Sequence, residues 1–187
     1  MNSKSRLSNI LPVKSSQKSL IAEQWVVNAS PVIALARVGQ VELLTRLPRR
    51  AIIPRAVEEE LLHAPENDAA RRAVESGVFK IIETPAPPPE ILAWDLGQGE
   101  TAVLSYTFAH KKWIAILDDG NARRCARSLS LKVTGTLAIV LLAKQHGLIN
   151  SAAQVLHDLQ NADFRLDDAI IRDALARTVR EKWKSGK

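Results

Sequence analysis

The sequence lacks the features of a secreted, disulfide-bonded or membrane-spanning protein. Its single cysteine, Cys125, cannot form an internal disulfide. No apolar run approaches the roughly 20 residues that cross a bilayer. Residues 1–24 also lack the apolar core of about 7–15 residues that is found in secretion signals. We therefore expect a cytoplasmic protein with no membrane partner.

Three common kinds of active site have no motif in this chain. The four histidines are scattered, without the paired spacing of a zinc site. No G-x-S-x-G elbow supports a serine hydrolase, and no G-x-x-x-x-G-K-S/T loop is present to cradle a nucleoside triphosphate. A doubly wound phosphate-binding or signalling domain is therefore a distant alternative. The histidines are His63, His110, His146 and His157.

Basic charge is concentrated at the two ends of the chain. The formal net charge is +6, of which residues 1–24 contribute +3 and residues 170–187 contribute +4. The middle of the chain is therefore close to neutral, and net charge is weak evidence that it binds nucleic acid. We predict a flexible basic N-terminal extension over 1–24, a globular domain over 25–165, and a C-terminal helix with a basic tail over 166–187.

Short apolar segments alternate with helical patterns along the globular part. Strands of this kind, followed by helices, indicate a parallel sheet covered on both faces. We predict an α/β fold of three layers, α/β/α, with a central, mostly parallel sheet of about five strands. The predicted strands are 25–28, 51–54, 79–82, 113–117 and 131–133.

Two adjacent carboxylates, Asp118 and Asp119, end the most apolar of these strands. The carboxyl ends of parallel strands form the edge at which such sheets bind ligands. A helix N-cap explains one aspartate. Two together repel each other, so a divalent cation, a basic side chain or a helix N-terminus is expected to offset their charge.

Asn28 and Ser30 lie at the same edge, because they follow the first predicted strand. Ser30 stands directly before Pro31, and this pair predicts that a helix begins there with Ser30 as its N-cap. The sequence therefore places one amide and one hydroxyl near the two aspartates.

Further carboxylates lie on predicted helices. Glu58, Glu59 and Glu60 are successive, and each step turns a helix by about 100°. Glu59 points away from the buried face, whereas Glu58 and Glu60 lie within or beside it, and the geometry does not choose between them. Glu100 follows two glycines at a helix start, where the helix dipole favours an acid and the glycines allow it to point inward.

This set of residues suits a hard cation. Oxygen ligands without His or Cys favour Mg²⁺ or Mn²⁺ over zinc. Such an ion polarises a phosphodiester and lowers the pKa of an attacking water, which is the chemistry of a metal-dependent nuclease. Arg123 and Arg127 share a helix face. They either contact phosphate or pair with nearby acids, and both interpretations stay open.

The ordered set of motifs resembles the PIN-domain family, over roughly residues 25–165. More closely, it resembles an uncharacterised toxin-like branch related to VapC-type ribonuclease toxins. The resemblance implies a PIN fold, a Mg²⁺- or Mn²⁺-dependent ribonuclease, RNA as substrate, a small antitoxin protein as partner, and a homodimer. The motifs are V-V-N-A-S-P-V-I-A-L at 26–35, Ile53-Pro54 with Val57 and Glu60, Gly99-Glu100-Thr101-Ala102, Leu117-Asp118-Asp119 with Ala122-Arg123, and Gly135-Thr136.

Carried over by position, the resemblance implies roles for individual residues. The family's second acid falls on Glu60, its third on Glu100 and its last on Asp119, with Asp118 beside it as a further catalytic residue. These three acids would hold the metal together with position 28. Ser30 would support the metal or its water.

The family's first aspartate falls on Asn28, and this departure separates two hypotheses. An amide oxygen still ligates a hard cation, but it brings no negative charge and weakens the site. In the first hypothesis the protein is a metal-dependent ribonuclease that tolerates Asn28. In the second, Asn28 marks a catalytically weak or inactive PIN domain that binds RNA or a protein partner without cutting.

Overall fold

The computed structural model describes residues 23–184, and their fold is built on a five-stranded parallel sheet. The strand order is β3-β2-β1-β4-β5, and every neighbouring pair is parallel. Helices flank the sheet, so the predicted three-layer α/β/α fold is confirmed. The strands are β1 (Gln24–Val27), β2 (Arg50–Pro54), β3 (Lys80–Ile82), β4 (Trp113–Ile116) and β5 (Val133–Thr134).

Ten helices within the described residues connect and extend these strands. None of them is long and apolar enough to span a bilayer. They are α1 (Ala29–Arg37), α2 (Leu43–Arg46), α3 (Arg55–Leu62), α4 (Ala69–Glu75), α5 (Pro89–Leu92), α6 (Gln98–Ala109), α7 (Gly120–Ser128), α8 (Thr136–Gln145), α9 (Ala152–Asn161) and α10 (Asp168–Thr178).

The chain changes direction across the sheet between β1 and β4. From β1 it adds β2 and β3 on one side, and it then crosses to place β4 and β5 on the other. Ligands of open α/β sheets bind at such a switch point, outside the carboxyl ends of the strands. Asn28 directly follows β1, and Asp118 and Asp119 follow β4, so the sequence-predicted polar residues flank this point.

The two central strands are apolar because helices cover both of their faces. All four residues of β4 are buried, as are Trp25, Val26 and Val27 of β1. Leu117 also belongs to this core and extends the pairing beyond β4, since its N–H donates to the carbonyl of Thr134 at 2.9 Å. The core therefore holds the backbone rigid up to the residue before Asp118.

The first helix begins earlier than the sequence predicts, so the prediction of Ser30 as its N-cap is wrong. Asn28 is extended, with φ −85° and ψ 168°, and helix α1 starts at Ala29. Ser30 and Pro31 therefore lie in the first turn, where proline is tolerated because its missing N–H would have no partner. The Ser30 hydroxyl is free of a capping role and points to the end of β4 instead.

The proline-rich connector over 83–88 has no regular secondary structure, and a short helix follows it. Helix α5 begins at Pro89, whose fixed φ suits the first helical position. The buried side chain of Ile91 attaches this turn to the core. The connector is thus anchored to the domain immediately before α6.

The C-terminal part of the described chain packs back onto α9. The carboxylate of Glu181 accepts hydrogen bonds from the Ser151 hydroxyl at 2.9 Å and the Ala153 N–H at 2.8 Å. Trp183 is buried and stacks on His157, with 3.9 Å between ring centroids. Of the predicted N-terminal extension, residues 1–22 lie outside the described residues, and Gln24 is the first residue of β1.

Candidate acidic site at the carboxyl edge of the sheet

Asn28 is a buried amide at the centre of this edge. Its N–H donates to the carbonyl of Ile116 at 3.1 Å, which ties the end of β1 to the end of β4. The residue is 5% exposed, and its Oδ1 accepts no hydrogen bond from any described residue. A buried acceptor without a partner costs about 1–3 kcal/mol. A ligand that bound to this oxygen would therefore stabilise the folded protein.

Gly99 brings the Asn28 amide and the Glu60 carboxylate together. A side chain at this position would place its Cβ 2.9 Å from Asn28 Oδ1 and 2.8 Å from Glu60 Oε2. Both oxygens therefore face the same small space above the first turn of α6. The space exists because position 99 has no side chain. The two glycines before Glu100 were expected to let that acid point inward, and this approach of Asn28 and Glu60 was not predicted from the sequence.

The structure distinguishes the three successive glutamates of α3. Glu58 forms an ion pair with Arg55 in the same helix. Only Glu60 reaches the space at Gly99. No described residue donates a hydrogen bond to its carboxylate, and partial burial raises its pKa above the ordinary value. Of the two glutamates between which the helix geometry did not choose, Glu60 is the one that lies beside Asn28 at the edge of the sheet.

Glu100 lies in the first turn of α6 and folds back on the helix start. The N–H of Gly97 donates to Glu100 Oε2 at 3.2 Å, so the acid helps to cap its own helix. Burial raises the pKa of Glu100, and so do the negative charges of Asp119 and Glu60, while the Gly97 N–H lowers it. The carboxylate of Glu100 is therefore near enough to those of Asp119 and Glu60 to be repelled by both.

Asp119 is the N-cap of α7. Its Oδ1 accepts from the N–H groups of Asn121 and Ala122, at 2.7 and 2.8 Å. The simple capping explanation therefore applies to this aspartate. Capping uses one oxygen, and the charge of the carboxylate is still felt at Glu100. Asp119 can cap a helix and contribute to an acidic site at the same time.

Asp118 has different surroundings from its neighbour. Its Oδ1 accepts from the Thr136 N–H at 2.8 Å, and its Oδ2 accepts from the hydroxyls of Thr136 at 2.6 Å and Ser30 at 3.3 Å. Burial raises the pKa of Asp118, whereas the bonds from Thr136 and Ser30 and the positive charge of Arg123 oppose that rise. Thr136 was part of the sequence pattern but was not predicted to contact this aspartate.

The two arginines of α7 occupy different environments. Arg123 is 8% exposed, its Nη1 donates to the carbonyl of Leu117 at 3.0 Å, and burial lowers its pKa. It therefore donates to the backbone at the end of β4. Arg127 is exposed on the surface of α7. A role for either in binding nucleic acid stays a prediction.

The donor set at Gly99 fits a hard cation, although the carboxylates are not gathered into a complete cage. Within residues 23–184, no three His, Cys, Asp or Glu side chains form a group that could hold a metal by themselves. Mg²⁺ is usually held by one or two carboxylates and several waters. The partnerless Oδ1 of Asn28 and the nearby carboxylate of Glu60 match that pattern.

Fold and site together define a class: an α/β protein whose acidic and amide side chains meet at the switch point of a parallel sheet. A family model described as PIN domain matches residues 24–180. The chain therefore belongs to the PIN-domain family, whose members are generally nucleases. No curated protein matches the chain.

Proposed function

We propose that the protein is a divalent-metal-dependent ribonuclease that hydrolyses phosphodiester bonds at the carboxyl edge of its sheet. One observation carries the proposal. The partnerless oxygen of Asn28 and the carboxylate of Glu60 face one space at Gly99, and Glu100 and Asp119 are electrostatically coupled beside it. Membership of a family of nucleases supports the reaction class.

In this proposal the metal ligands are Asn28, Glu60, Glu100 and Asp119. Bound Mg²⁺ or Mn²⁺ would supply Lewis-acid polarisation of the phosphate and a water of lowered pKa. Burial raises the pKa of Glu60, and burial together with the charges of Asp119 and Glu60 raises the pKa of Glu100, so a bound cation would favour the ionised form of both acids. The N-cap bonds of Asp119 hold its carboxylate in one orientation, which fixes the ligand before any ion arrives.

Asp118 and Ser30 act in the proposal by positioning rather than by ligation. The carboxylate of Asp118 is held by Thr136 and orients the Ser30 hydroxyl, which donates to it. Arg123 offsets the charge of Asp118. Ser30 and Asp118 thereby join the end of β4 to α1 and keep Asn28 and Asp119 at a constant separation.

The test is Mn²⁺-dependent cleavage of mixed structured and single-stranded RNA by the purified protein. Asp119→Asn should abolish cleavage, because it removes the charge while asparagine still caps a helix well. Asp68→Asn is the matched control, since Asp68 caps α4 through the same two-bond geometry and is not one of the proposed ligands. Cleavage that survives Asp119→Asn, or that chelation of the metal leaves unchanged, would refute the proposal.

The alternative is a PIN domain that binds RNA or a protein partner without cutting it. Asn28 favours this alternative, because the ligand set has one negative charge fewer than it would have with the aspartate that the family resemblance implies at this position. Full RNA binding by a folded protein that cuts none of the RNAs at any Mn²⁺ concentration would support it. Cleavage restored by Asn28→Asp would then identify the amide of Asn28 as the cause of the inactivity.

Three further expectations rest on the resemblance to VapC-type toxins alone. They are a toxin role, a small antitoxin protein as partner, and a homodimer. Growth arrest on expression, relieved by Asp119→Asn, tests the toxin role. Sedimentation of the purified chain tests the homodimer, and a monomer would contradict it.

A further inference from the structure

A pocket of about 150 Å³ lies beside the acidic site. It is formed between the start of α8, the end of β4 and the loop that joins α9 to α10. Residues of this loop also line a broader, open depression. The pocket has apolar walls from Leu137, Phe164 and Leu166, and charged groups from Asp118, Arg123 and Arg165.

Gly135 keeps the charged groups accessible from the pocket. A Cβ at this position would lie 2.5 Å from Arg123 Nη1 and 2.7 Å from Asp118 Oδ1. Any side chain at position 135 would therefore displace both groups. Arg123 is more than nine-tenths buried, yet it lines the pocket because glycine leaves this gap.

We propose that this pocket binds one unpaired base of the RNA substrate, next to the bond that is cut; the proposal rests on the ribonuclease function proposed above. The volume supports a single ring system, because pockets for larger ligands measure about 300–1,000 Å³. Sequence-specific proteins read RNA mostly through unpaired bases, which they stack on aromatic or arginine planes and hydrogen-bond at their edges.

The pocket walls supply both kinds of contact. Phe164 is half-buried and packs against the core, so its ring is held in place for stacking. Asp118 accepts three hydrogen bonds, and a carboxylate has about four acceptor sites, so it can accept one more from a base N–H. Arg165 is exposed at the rim, where it can contact the phosphate of the bound nucleotide.

The position of the pocket links base recognition to cleavage. Asp118 lines the pocket, and the next residue in the chain, Asp119, belongs to the proposed metal site. Consecutive Cα atoms are about 3.8 Å apart, so the pocket and the proposed site adjoin at this pair of residues. A base in the pocket would therefore belong to a nucleotide that flanks the scissile bond.

The experiment measures base preference with and without the aromatic ring. The full chain, with Mn²⁺, is given unpaired RNA of random sequence, and the bases on each side of every cut are counted. The wild type should prefer one kind of base, and Phe164→Ala should reduce cleavage beside that base by about tenfold, because the stacking contact that holds it in the pocket is lost. Phe164→Leu keeps the apolar volume, so it removes stacking from a protein that folds.

Phe108→Ala is the matched control. Phe108 is also a half-buried phenylalanine, but it lies at the end of α6, near the amino edge of the sheet. This variant should keep the wild-type preference. A preference that is equally strong in the Phe164 variants, or a wild type that cuts beside all four bases equally, would overturn the proposal.

A binding measurement separates the pocket from the catalytic proposal. Asp119→Asn protein is titrated with oligomers of A, C, G and U, with and without Phe164→Leu. Selective binding that Phe164→Leu removes supports the pocket even if the wild type cuts no RNA, in which case only the ribonuclease proposal fails. Cleavage without base selectivity in either assay refutes the pocket and leaves the ribonuclease proposal intact.

Discussion

Asp118 and Asp119 are adjacent in the sequence but differ in what surrounds them. Asp118 is held by Thr136 and Ser30 and faces the charge of Arg123. Asp119 caps α7 with one oxygen and contributes negative charge to the side of Glu100. The sheet edge therefore has two parts, one compensated within the protein and one with excess negative charge.

This difference separates structural acids from candidate ligands. A carboxylate whose hydrogen bonds and counter-charge come from the chain gains little from a cation. Burial raises the pKa of Glu60, and burial together with the charges of Asp119 and Glu60 raises the pKa of Glu100. In the proposal, only this second group gains from an external cation, so proximity to β4 alone does not identify a ligand.

The largest expected effect is a difference in stability between variants of Asp118 and variants of Asp119. Asp118→Ala should lower the free energy of unfolding by about 3 kcal/mol, because it leaves the buried Arg123 without its counter-charge. Asp119→Ala should cost only about 1 kcal/mol, the usual loss for an N-cap. Urea denaturation of both variants measures the difference. Asp68→Ala provides the value for a cap alone, and equal losses at 118 and 119 would contradict the division.

A methyl group at Gly99 should weaken metal binding at the part of the sheet edge that has excess negative charge, without unfolding the protein. In Gly99→Ala the new Cβ meets Glu60 Oε2 and Asn28 Oδ1, and the flexible glutamate can move away. We expect Mn²⁺ affinity and RNA cleavage to fall by about 10–100-fold, as for other changes that misplace metal ligands. Alanine favours a helix more than glycine does, which offsets part of the cost of moving the Glu60 and Asn28 oxygens.

Gly120→Ala is the control for this substitution, since a Cβ there meets no atom within 4 Å in the first turn of α7. It should change neither affinity nor cleavage. Calorimetric titration with Mn²⁺ measures the affinity of both variants. If Gly99→Ala binds Mn²⁺ as the wild type does, the oxygens at Gly99 are not the ligands.

Asn28→Asp should increase the difference between the two parts of the sheet edge, because it adds a negative charge to the part that already has an excess of negative charge. The fourth carboxylate should increase Mn²⁺ affinity on the order of tenfold, because ligand charge governs the binding of hard cations. Without metal the same change should lower the melting temperature through repulsion from Glu60. Asn28→Ala, which removes the oxygen, should bind more weakly than the wild type, and equal affinity in all three proteins would exclude position 28 from the site.

The sequence predicts the edge of the sheet well because strand periodicity and parallel pairing alone bring Asn28, Asp118 and Asp119 together. The sequence does not predict those features of the site that depend on contacts between segments distant in the chain. The step of 100° per residue leaves Glu58 and Glu60 equivalent until α6 is placed beside α3. The bond from Ser30 to Asp118 spans 88 residues, and the loop at Phe164 has no local pattern that signals a pocket.

The smallest expected effect is a pH dependence whose sign differs between the metal-free and metal-bound protein. The pKa values of Glu60 and Glu100 are raised in the folded state, so folding favours their protonated forms. Without metal, their contribution to stability is full below the unfolded pKa of about 4.3 and is lost as pH rises through the folded values. With Mn²⁺ the trend should reverse, because carboxylate ligands must be deprotonated. Melting temperatures measured across this range, with EDTA or with Mn²⁺, should show opposite slopes relative to the double variant Glu60→Gln, Glu100→Gln. Parallel slopes in the two conditions would mean that these glutamates do not bind the ion.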